Sequence, residues 1–232
     1  EDPRAKFTNV AVIEGERVRI VDAEGMNTPD CPGFVTWLLG VEEPGGESES
    51  VLLQLALSMR AHRHGGSLLV VPQDSDGWRE SILWPVPYRV APPFSKLGDL
   101  LRQAAAEREG GAWHQAFRAA IDAVGGLTAV DGATILTDRW DVVAFGAKIG
   151  RRTAAQAVER VMVIEPIVGL APVGVHPAEL GGTRHLSAAQ FVHEQREALA
   201  LVASQDGRFT VFTAPEEEEG MVRAYRVEAL LL

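Results

Sequence analysis

The spacing of apolar residues predicts three amphipathic helices in the middle of the chain. In residues 51–63 apolar positions recur every three to four residues, as on one face of a helix. Residues 96–107 follow Ser95, a residue type that favours helix N-caps, and residues 112–124 repeat the pattern. The positions that we expect to face a core are Leu52, Leu55, Ala56, Met59, Leu97, Leu100, Leu101, Ala104, Trp113, Phe117, Ile121 and Val124.

Short apolar runs bounded by turn residues predict β-strands. The run at 67–72 is typical of a buried strand. Residues 133–137 and 141–147 predict two strands around a tight turn. Near the C-terminus, Asp206-Gly207 lies between two further apolar runs, and this dipeptide is a strong hairpin signal.

The remaining segments complete the pattern. Residues 161–170 predict a strand, 171–182 a loop and 183–195 a helix. Residues 82–94 are rich in proline, which excludes both a helix and a central strand. The final segment, 221–232, is compatible with a strand or a helix.

Strands that alternate with helices and end in hairpins predict an α/β fold with a central mixed β-sheet flanked by helices. Two alternating runs in residues 6–22, on either side of a Glu-Gly-Glu turn, predict an earlier hairpin. We therefore divide the chain into an N-terminal β-hairpin extension, residues 1–50, and one main domain, residues 51–232.

Composition narrows the possible partners. The formal net charge of −10 argues against a nucleic-acid groove, because phosphate backbones bind to basic surfaces. No apolar run is long enough to predict a membrane span. A single cysteine, Cys31, fits a reducing cytoplasm. We expect a cytoplasmic domain whose ligand is a small molecule.

Two short segments have residue types suited to ligand chemistry. In Asp131-Gly132-Ala133, a carboxylate before a strand can hold a divalent cation, and the small residues leave room for a ligand. In Gly181-Gly182-Thr183-Arg184-His185, two glycines precede a helix start, where free N–H groups attract anions. Each segment alone is also typical of ordinary structure, a turn and a capped helix with a surface arginine respectively.

Common catalytic signatures are absent from the sequence. It contains no GxxxxGK[ST] phosphate loop, no GxGxxG, no HExxH and no GxSxG. This disfavours kinases, Rossmann dehydrogenases and α/β-hydrolases.

The order of four motifs resembles the diadenylate cyclase domain, which occurs in the DNA-integrity scanning protein and in membrane-bound cyclases. The motifs are GGSLLVV at 65–71, Asp131-Gly132-Ala133 before an apolar strand, GGTRHLSAA at 181–189 and LALVASQDGRFTVF at 199–212. They span roughly residues 52–213. The family makes cyclic di-AMP, a bacterial signalling nucleotide, from two ATP molecules.

The resemblance implies a role for each matched residue. Asp131 would bind a catalytic Mg²⁺ or Mn²⁺ and, with His185, serve catalysis. Gly132 and Ala133 would line the nucleotide pocket, and Gly182, Thr183, Arg184 and His185 would hold phosphates. Catalysis would also need a face-to-face homodimer in which each protomer supplies one ATP.

Departures from the family motifs leave three functions open. Leu186 stands where the family has an arginine, and Ser204-Gln205 replaces an acidic pair. Residues 147–180 also form a longer connection than the family has. Loss of such groups reduces turnover more than binding. The chain therefore resembles a divergent, nucleotide-sensing branch that binds ATP or a cyclic dinucleotide. An active diadenylate cyclase and a non-catalytic scaffold are the alternatives.

Overall fold

The computed structural model describes residues 11–14, 17–21, 47–103, 107–108, 110–215, 218, 220–228 and 231. Strands β1 (Ala11–Glu14) and β2 (Arg17–Ile20) pair antiparallel, which confirms the predicted N-terminal hairpin in its strands. Its turn lies partly outside the described residues. The hairpin meets the main sheet region where Val21 bridges to Ile167. The division into 1–50 and 51–232 stays a prediction.

Helices and strands alternate through the rest of the described chain. The helices are α1 (Glu47–Ala61), α2 (Lys96–Leu101), α3 (Gly111–Leu127), α4 (Pro177–Leu180) and α5 (Thr183–Glu194), with a short 3-10 helix at Gly77–Ser81. The strands are β3 (Gly66–Val71), β4 (Tyr88–Phe94), β5 (Ala133–Thr137), β6 (Val142–Ala147), β7 (Val161–Ile164), β8 (Val173–Val175), β9 (Leu199–Ala203), β10 (Phe209–Thr213) and β11 (Arg223–Arg226).

Within the described ranges, nine of these strands form one mixed sheet in the order β4-β6-β5-β3-β9-β10-β11-β7-β8. The pairs β3–β5 and β7–β11 are parallel, and the other neighbours are antiparallel. The chain between β3 and β5 contains α2 and α3, as a parallel crossover requires. The predicted α/β fold with a mixed sheet flanked by helices is confirmed.

Both faces of the central strands are buried, each in its own apolar cluster. On one face, Leu68 and Leu201 pack with apolar residues of α1, α2 and α3. On the other, Leu69 and Ala200 pack with residues of α5 and the 3-10 helix. Because neighbouring side chains on a strand point to opposite faces, a strand between two helical layers is apolar throughout. This explains the apolar residues at 68–71.

Proline and capping residues determine the sheet's less regular parts. β4 carries Pro92 and Pro93 and lies at one edge, which confirms that residues 82–94 form no central strand.

The prediction of a loop throughout 171–182 was wrong, since β8 and α4 lie within it. There His176 caps α4 by accepting the N–H of Ala178, and Glu179 accepts the N–H of His176.

The C-terminal segment, for which the pattern allowed either element, contains strand β11 at Arg223–Arg226. The helix predicted at 96–107 ends at Leu101, and Ala104 lies outside the described residues. No helix in the described part of the chain is long and apolar enough to cross a membrane.

Candidate functional site

Asp131 is positioned by a tight approach between two backbone segments. Gly132, the next residue, has φ +108°, a conformation that disfavours any side chain. A Cβ on Gly132 would lie 2.5 Å from the carbonyl carbon of Gly146 at the end of β6. The start of β5 therefore lies against the end of β6, where Ala133 pairs with Ala147. The Asp131 side chain is 83% exposed at this corner.

The second predicted segment forms the entrance of α5. Gly182 is the N-cap, and no side chain caps the first turn. Unsatisfied N–H groups at such an end carry a partial positive charge. Ser187 donates its hydroxyl to the carbonyl oxygen of Thr183 at 2.6 Å, and Thr183 is exposed.

These two segments converge on one cleft of about 210 Å³. Asp131 and Arg184 both line it. Its lining residues are Ser67, Asp131, Gly132, Ala133, Ala147, Lys148, Ile149, Thr183, Arg184 and Ser187. The predicted site residues Asp131, Gly132, Ala133, Thr183 and Arg184 are therefore brought together, whereas Gly182 and His185 are not among the lining residues.

Gly182 and His185 border an adjoining depression of about 300 Å³. Thr183 and Arg184 belong to both hollows, so the depression lies next to the cleft across the α5 entrance. Its other lining residues are Ser204, Gln205 and Asp206, from the turn between β9 and β10. Together the two hollows contain all of the predicted site residues.

The charges in the main cleft are two cations and one carboxylate. Lys148 Nζ lies 3.3 Å from Asp131 Oδ2, in a pair whose side chains are 62% and 83% exposed. Arg184 forms no ion pair within the described ranges. Its guanidinium lies against Gly65, since a Cβ there would be 3.1 Å from Arg184 Nη1. An unpaired guanidinium beside a helix N-terminus is suited to an anionic ligand.

His185 is buried beneath the α5 entrance rather than exposed to the cleft. Its relative exposure is 1%, and its Nε2 lies 3.3 Å from Thr210 Oγ1. The ring meets Phe212 edge-on and covers Gly181, where a Cβ would be 2.3 Å from His185 Nδ1. Burial lowers the pKa of His185 to about 4, so its imidazole is neutral at neutral pH. The contacts give His185 a structural role; its catalytic and phosphate roles stay predictions.

The residues that depart from the family motifs lie near the site. Leu186 is 37% exposed and lines neither hollow, so it does not fill the cleft. Gln205 donates its side-chain amide to the carbonyl oxygen of His64 at 3.2 Å, which connects the β9–β10 turn to the residues before β3. Asp206 pairs with Arg208 at 3.4 Å in that turn.

The environment of Asp131 includes an ammonium group that would compete with a divalent cation for the carboxylate. Asp131 supplies the only carboxylate among the cleft's lining residues, and an ammonium group already contacts it. Mg²⁺ in phosphate-binding sites is held by one or two carboxylates together with phosphate oxygens. In the described part of the chain, no cluster of three His, Cys, Asp or Glu residues suits a metal ion. The role of Asp131 as a metal ligand stays a prediction.

Sequence reasoning did not single out Lys148, Ser67 or Ser187 as site residues. All three residues lie next to the predicted segments, either in the chain or across the sheet. Ser67 pairs with Ala133 across β3 and β5, Lys148 follows the last residue of β6, and Ser187 lies one helical turn after Thr183. The helix start at 183 could have indicated Ser187, whereas the distance of Lys148 from Asp131 depends on the irregular pairing of β5 and β6.

Comparisons with known proteins give structural similarities at low identity. No family model and no curated protein matches the chain. A hypothetical membrane-spanning protein from Bacillus cereus is similar over 82% of this chain and 68% of its own length, at 15% identity and a TM-score of 0.41. A double mutant of DacA from Staphylococcus aureus is similar over 75% of this chain and 83% of its own, at 13% identity and a TM-score of 0.37. Similarities at this level do not assign the chain to a family.

Proposed function

We propose that this chain is a nucleotide-sensing domain that binds an adenine nucleotide, ATP or a cyclic dinucleotide, in the cleft between Asp131 and Arg184. The observation that carries the proposal is the convergence of these residues on one cleft. The cleft combines a guanidinium that forms no ion pair among the described residues, a helix N-terminus and a hydroxyl at Thr183. Each of these groups attracts phosphate oxygens.

The choice of an adenine nucleotide rests on the motif resemblance described above. Four segments occur in the order found in diadenylate cyclases, and two of them, Asp131-Gly132-Ala133 and Thr183-Arg184, meet at the cleft. A third, at 65–71, contributes Ser67 to the lining. The ligand that we expect is a cytoplasmic signalling nucleotide.

Sensing is favoured over synthesis because groups that would support turnover are replaced. Leu186 supplies no guanidinium, and Ser204-Gln205 supplies no carboxylate beside the adjoining depression. Phosphoryl transfer depends on positioning and on charge neutralisation, so these losses reduce rate more than affinity. Binding can therefore remain where catalysis does not.

Isothermal titration calorimetry of the full chain tests the proposal. ATP and cyclic di-AMP are titrated in separate experiments, with inorganic phosphate as a control for simple anion binding. We expect at least one nucleotide to bind with a dissociation constant below about 1 mM, more tightly than phosphate. Absence of binding by both nucleotides at millimolar concentration would overturn the proposal and favour the scaffold function.

An active diadenylate cyclase is the second candidate, because the Asp131 carboxylate is exposed in the same cleft as Arg184. This function would need Mg²⁺ or Mn²⁺ and two protomers facing each other, each with one ATP. Incubation with ATP and either cation, followed by chromatography, distinguishes it from sensing. Formation of cyclic di-AMP that is lost in Asp131→Asn would favour the enzyme.

A further inference from the structure

Lys148 is held at the rim of the cleft by its backbone, while its side chain has few restraints. Its carbonyl oxygen accepts the N–H of Leu83 at 2.8 Å. On the C-terminal side, Ile149 bridges to Ile82 and Gly150 donates its N–H to Ser81. These bonds fix the Cα of Lys148 beside Asp131, and the Lys148 side chain is 62% exposed.

The contact between Lys148 and Asp131 is weak enough to be exchanged. Both side chains are largely exposed, and exposed ion pairs contribute little because water screens them and the side chains keep their freedom. The ammonium group can therefore turn from the Asp131 carboxylate to a phosphate oxygen without loss of a strong interaction. It can also contact both at once, since it has three N–H donors.

A nucleotide in this cleft needs positive charge near Asp131. The carboxylate repels phosphate oxygens unless a cation lies between them, and in many phosphate-binding sites this cation is a divalent metal. Here Lys148 Nζ already supplies a positive charge 3.3 Å from Asp131 Oδ2. Lysine is itself a common phosphate ligand.

We infer that Lys148 supplies the positive charge that a divalent cation would otherwise supply beside Asp131, so that nucleotide binding by this chain does not require a metal. The inference rests on the proposed function and adds a ligand-binding residue that the motifs do not contain. Under it, Lys148 and Arg184 hold the phosphates from opposite segments of the cleft.

Calorimetric titrations in EDTA and in Mg²⁺ test this inference, with ATP and cyclic di-AMP as probes. For the wild type we expect dissociation constants that agree within about threefold between the two conditions. In EDTA, Lys148→Gln should weaken binding about tenfold or more, because a charge-assisted hydrogen bond is lost. Lys96→Gln is the matched control, since Lys96 is exposed at the start of α2, away from the cleft lining.

The variant Asp131→Asn distinguishes Lys148 from a divalent metal as the cation beside residue 131. If Lys148 is the cation, removal of the carboxylate frees the ammonium group and leaves affinity in EDTA unchanged or higher. Binding that occurs only with Mg²⁺ and is lost in Asp131→Asn would overturn the inference and leave the proposed function intact. No binding by the wild type in either condition would overturn the proposed function itself.

Discussion

Asp131 and Arg184 line one cleft, although the β5–β6 hairpin, β7, β8 and α4 separate them in the chain. Asp131 lies before β5, and Arg184 lies in the first turn of α5, which packs on β9, β10 and β3. Since β5 and β9 are the two neighbours of β3, the segments that precede β5 and α5 meet above its first residues. The topology of the sheet thus produces the site.

The first prediction concerns Arg184. Replacement by glutamine removes the unpaired guanidinium but keeps a polar side chain of moderate length. We expect the affinity for the nucleotide that binds the wild type to fall about tenfold or more, because hydrogen bonds to charged phosphates are lost. Calorimetry measures the change.

Arg118→Gln is the control for this experiment, since Arg118 is exposed on α3 and is not part of the cleft. Its affinity should equal that of the wild type. An Arg184→Gln variant that binds the nucleotide as tightly as the wild type would contradict the assignment of the cleft.

The second prediction concerns Gly132. Alanine at this position would combine φ +108° with a Cβ 2.5 Å from the carbonyl carbon of Gly146. We expect Gly132→Ala to lower the free energy of unfolding by at least about 2 kcal/mol, and to weaken nucleotide binding because the Asp131 corner shifts. Urea denaturation gives the stability and calorimetry the affinity.

Gly126→Ala serves as the matched control for Gly132→Ala. Gly126 lies within α3, and a Cβ there meets nothing within 4 Å. Alanine is the better helix former, so this variant should be as stable as the wild type or more stable by up to about 1 kcal/mol. Equal stability of the Gly132 and Gly126 variants would show that no close approach exists at Gly132.

The third prediction is a pH dependence of stability that arises from His185. Burial lowers its pKa to about 4, against about 6.5 for a solvent-exposed histidine. Below pH 6.5 the unfolded chain takes up a proton that the folded chain does not, so stability falls as the pH drops towards 4 and changes little further below it. The full contribution is roughly 3 kcal/mol.

Comparing the wild type with His185→Gln isolates the contribution of His185 to the pH dependence of stability, because the carboxylates titrate in both proteins. Glutamine keeps an amide group that can bond to Thr210. Urea denaturation at pH 7.5 and pH 4.5 should show a larger loss in the wild type, by about 2 kcal/mol. Equal losses in the two proteins would mean that His185 is not held neutral by burial.

The fourth prediction is that turnover is absent. With ATP and Mn²⁺ or Mg²⁺, the wild type should form no more cyclic di-AMP than Asp131→Asn, because Leu186 and Ser204-Gln205 supply neither the guanidinium nor the carboxylates of the family motifs. Chromatography after long incubation detects the product. Product formed by the wild type alone would favour the cyclase.

Most of the fold could be predicted because its elements carry strong local signals. The strands β3, β5 and β9 consist mostly of apolar residues, as expected for strands covered on both faces, and the turn at Asp206-Gly207 appears as predicted between β9 and β10. The exceptions are short. β8 and α4 have three and four residues, and periodicity cannot be recognised over such lengths.

The burial of His185 was not predicted, although the spacing of the residues that follow it indicates a buried position. His185, Ala188, Ala189 and Val192 recur at helical spacing, and all four are buried on one face of α5. Glycines before a helix indicate an anion site, but only residues on the exposed side of the helix can contact the anion. The spacing to the following alanines places His185 on the buried side, next to Thr210.

The proximity of Lys148 to Asp131 could not be predicted from the sequence, because it depends on strand register. A lysine at the end of a strand is ordinarily a solvated residue, and its distance from Asp131 depends on how β5 and β6 pair. That pairing contains irregularities on both sides of Ile135, which shift the residues opposite one another. Sequence patterns identify the hairpin but do not give the position of such shifts.

The most direct test of the nucleotide site is a crystal structure of the full chain with ATP or cyclic di-AMP. We predict phosphate density within hydrogen-bonding distance of the Arg184 guanidinium and the N-terminal N–H groups of α5, with the nucleotide beside Asp131 and Gly132. A nucleotide bound elsewhere, or a cleft that stays empty at saturating concentration, would contradict the account.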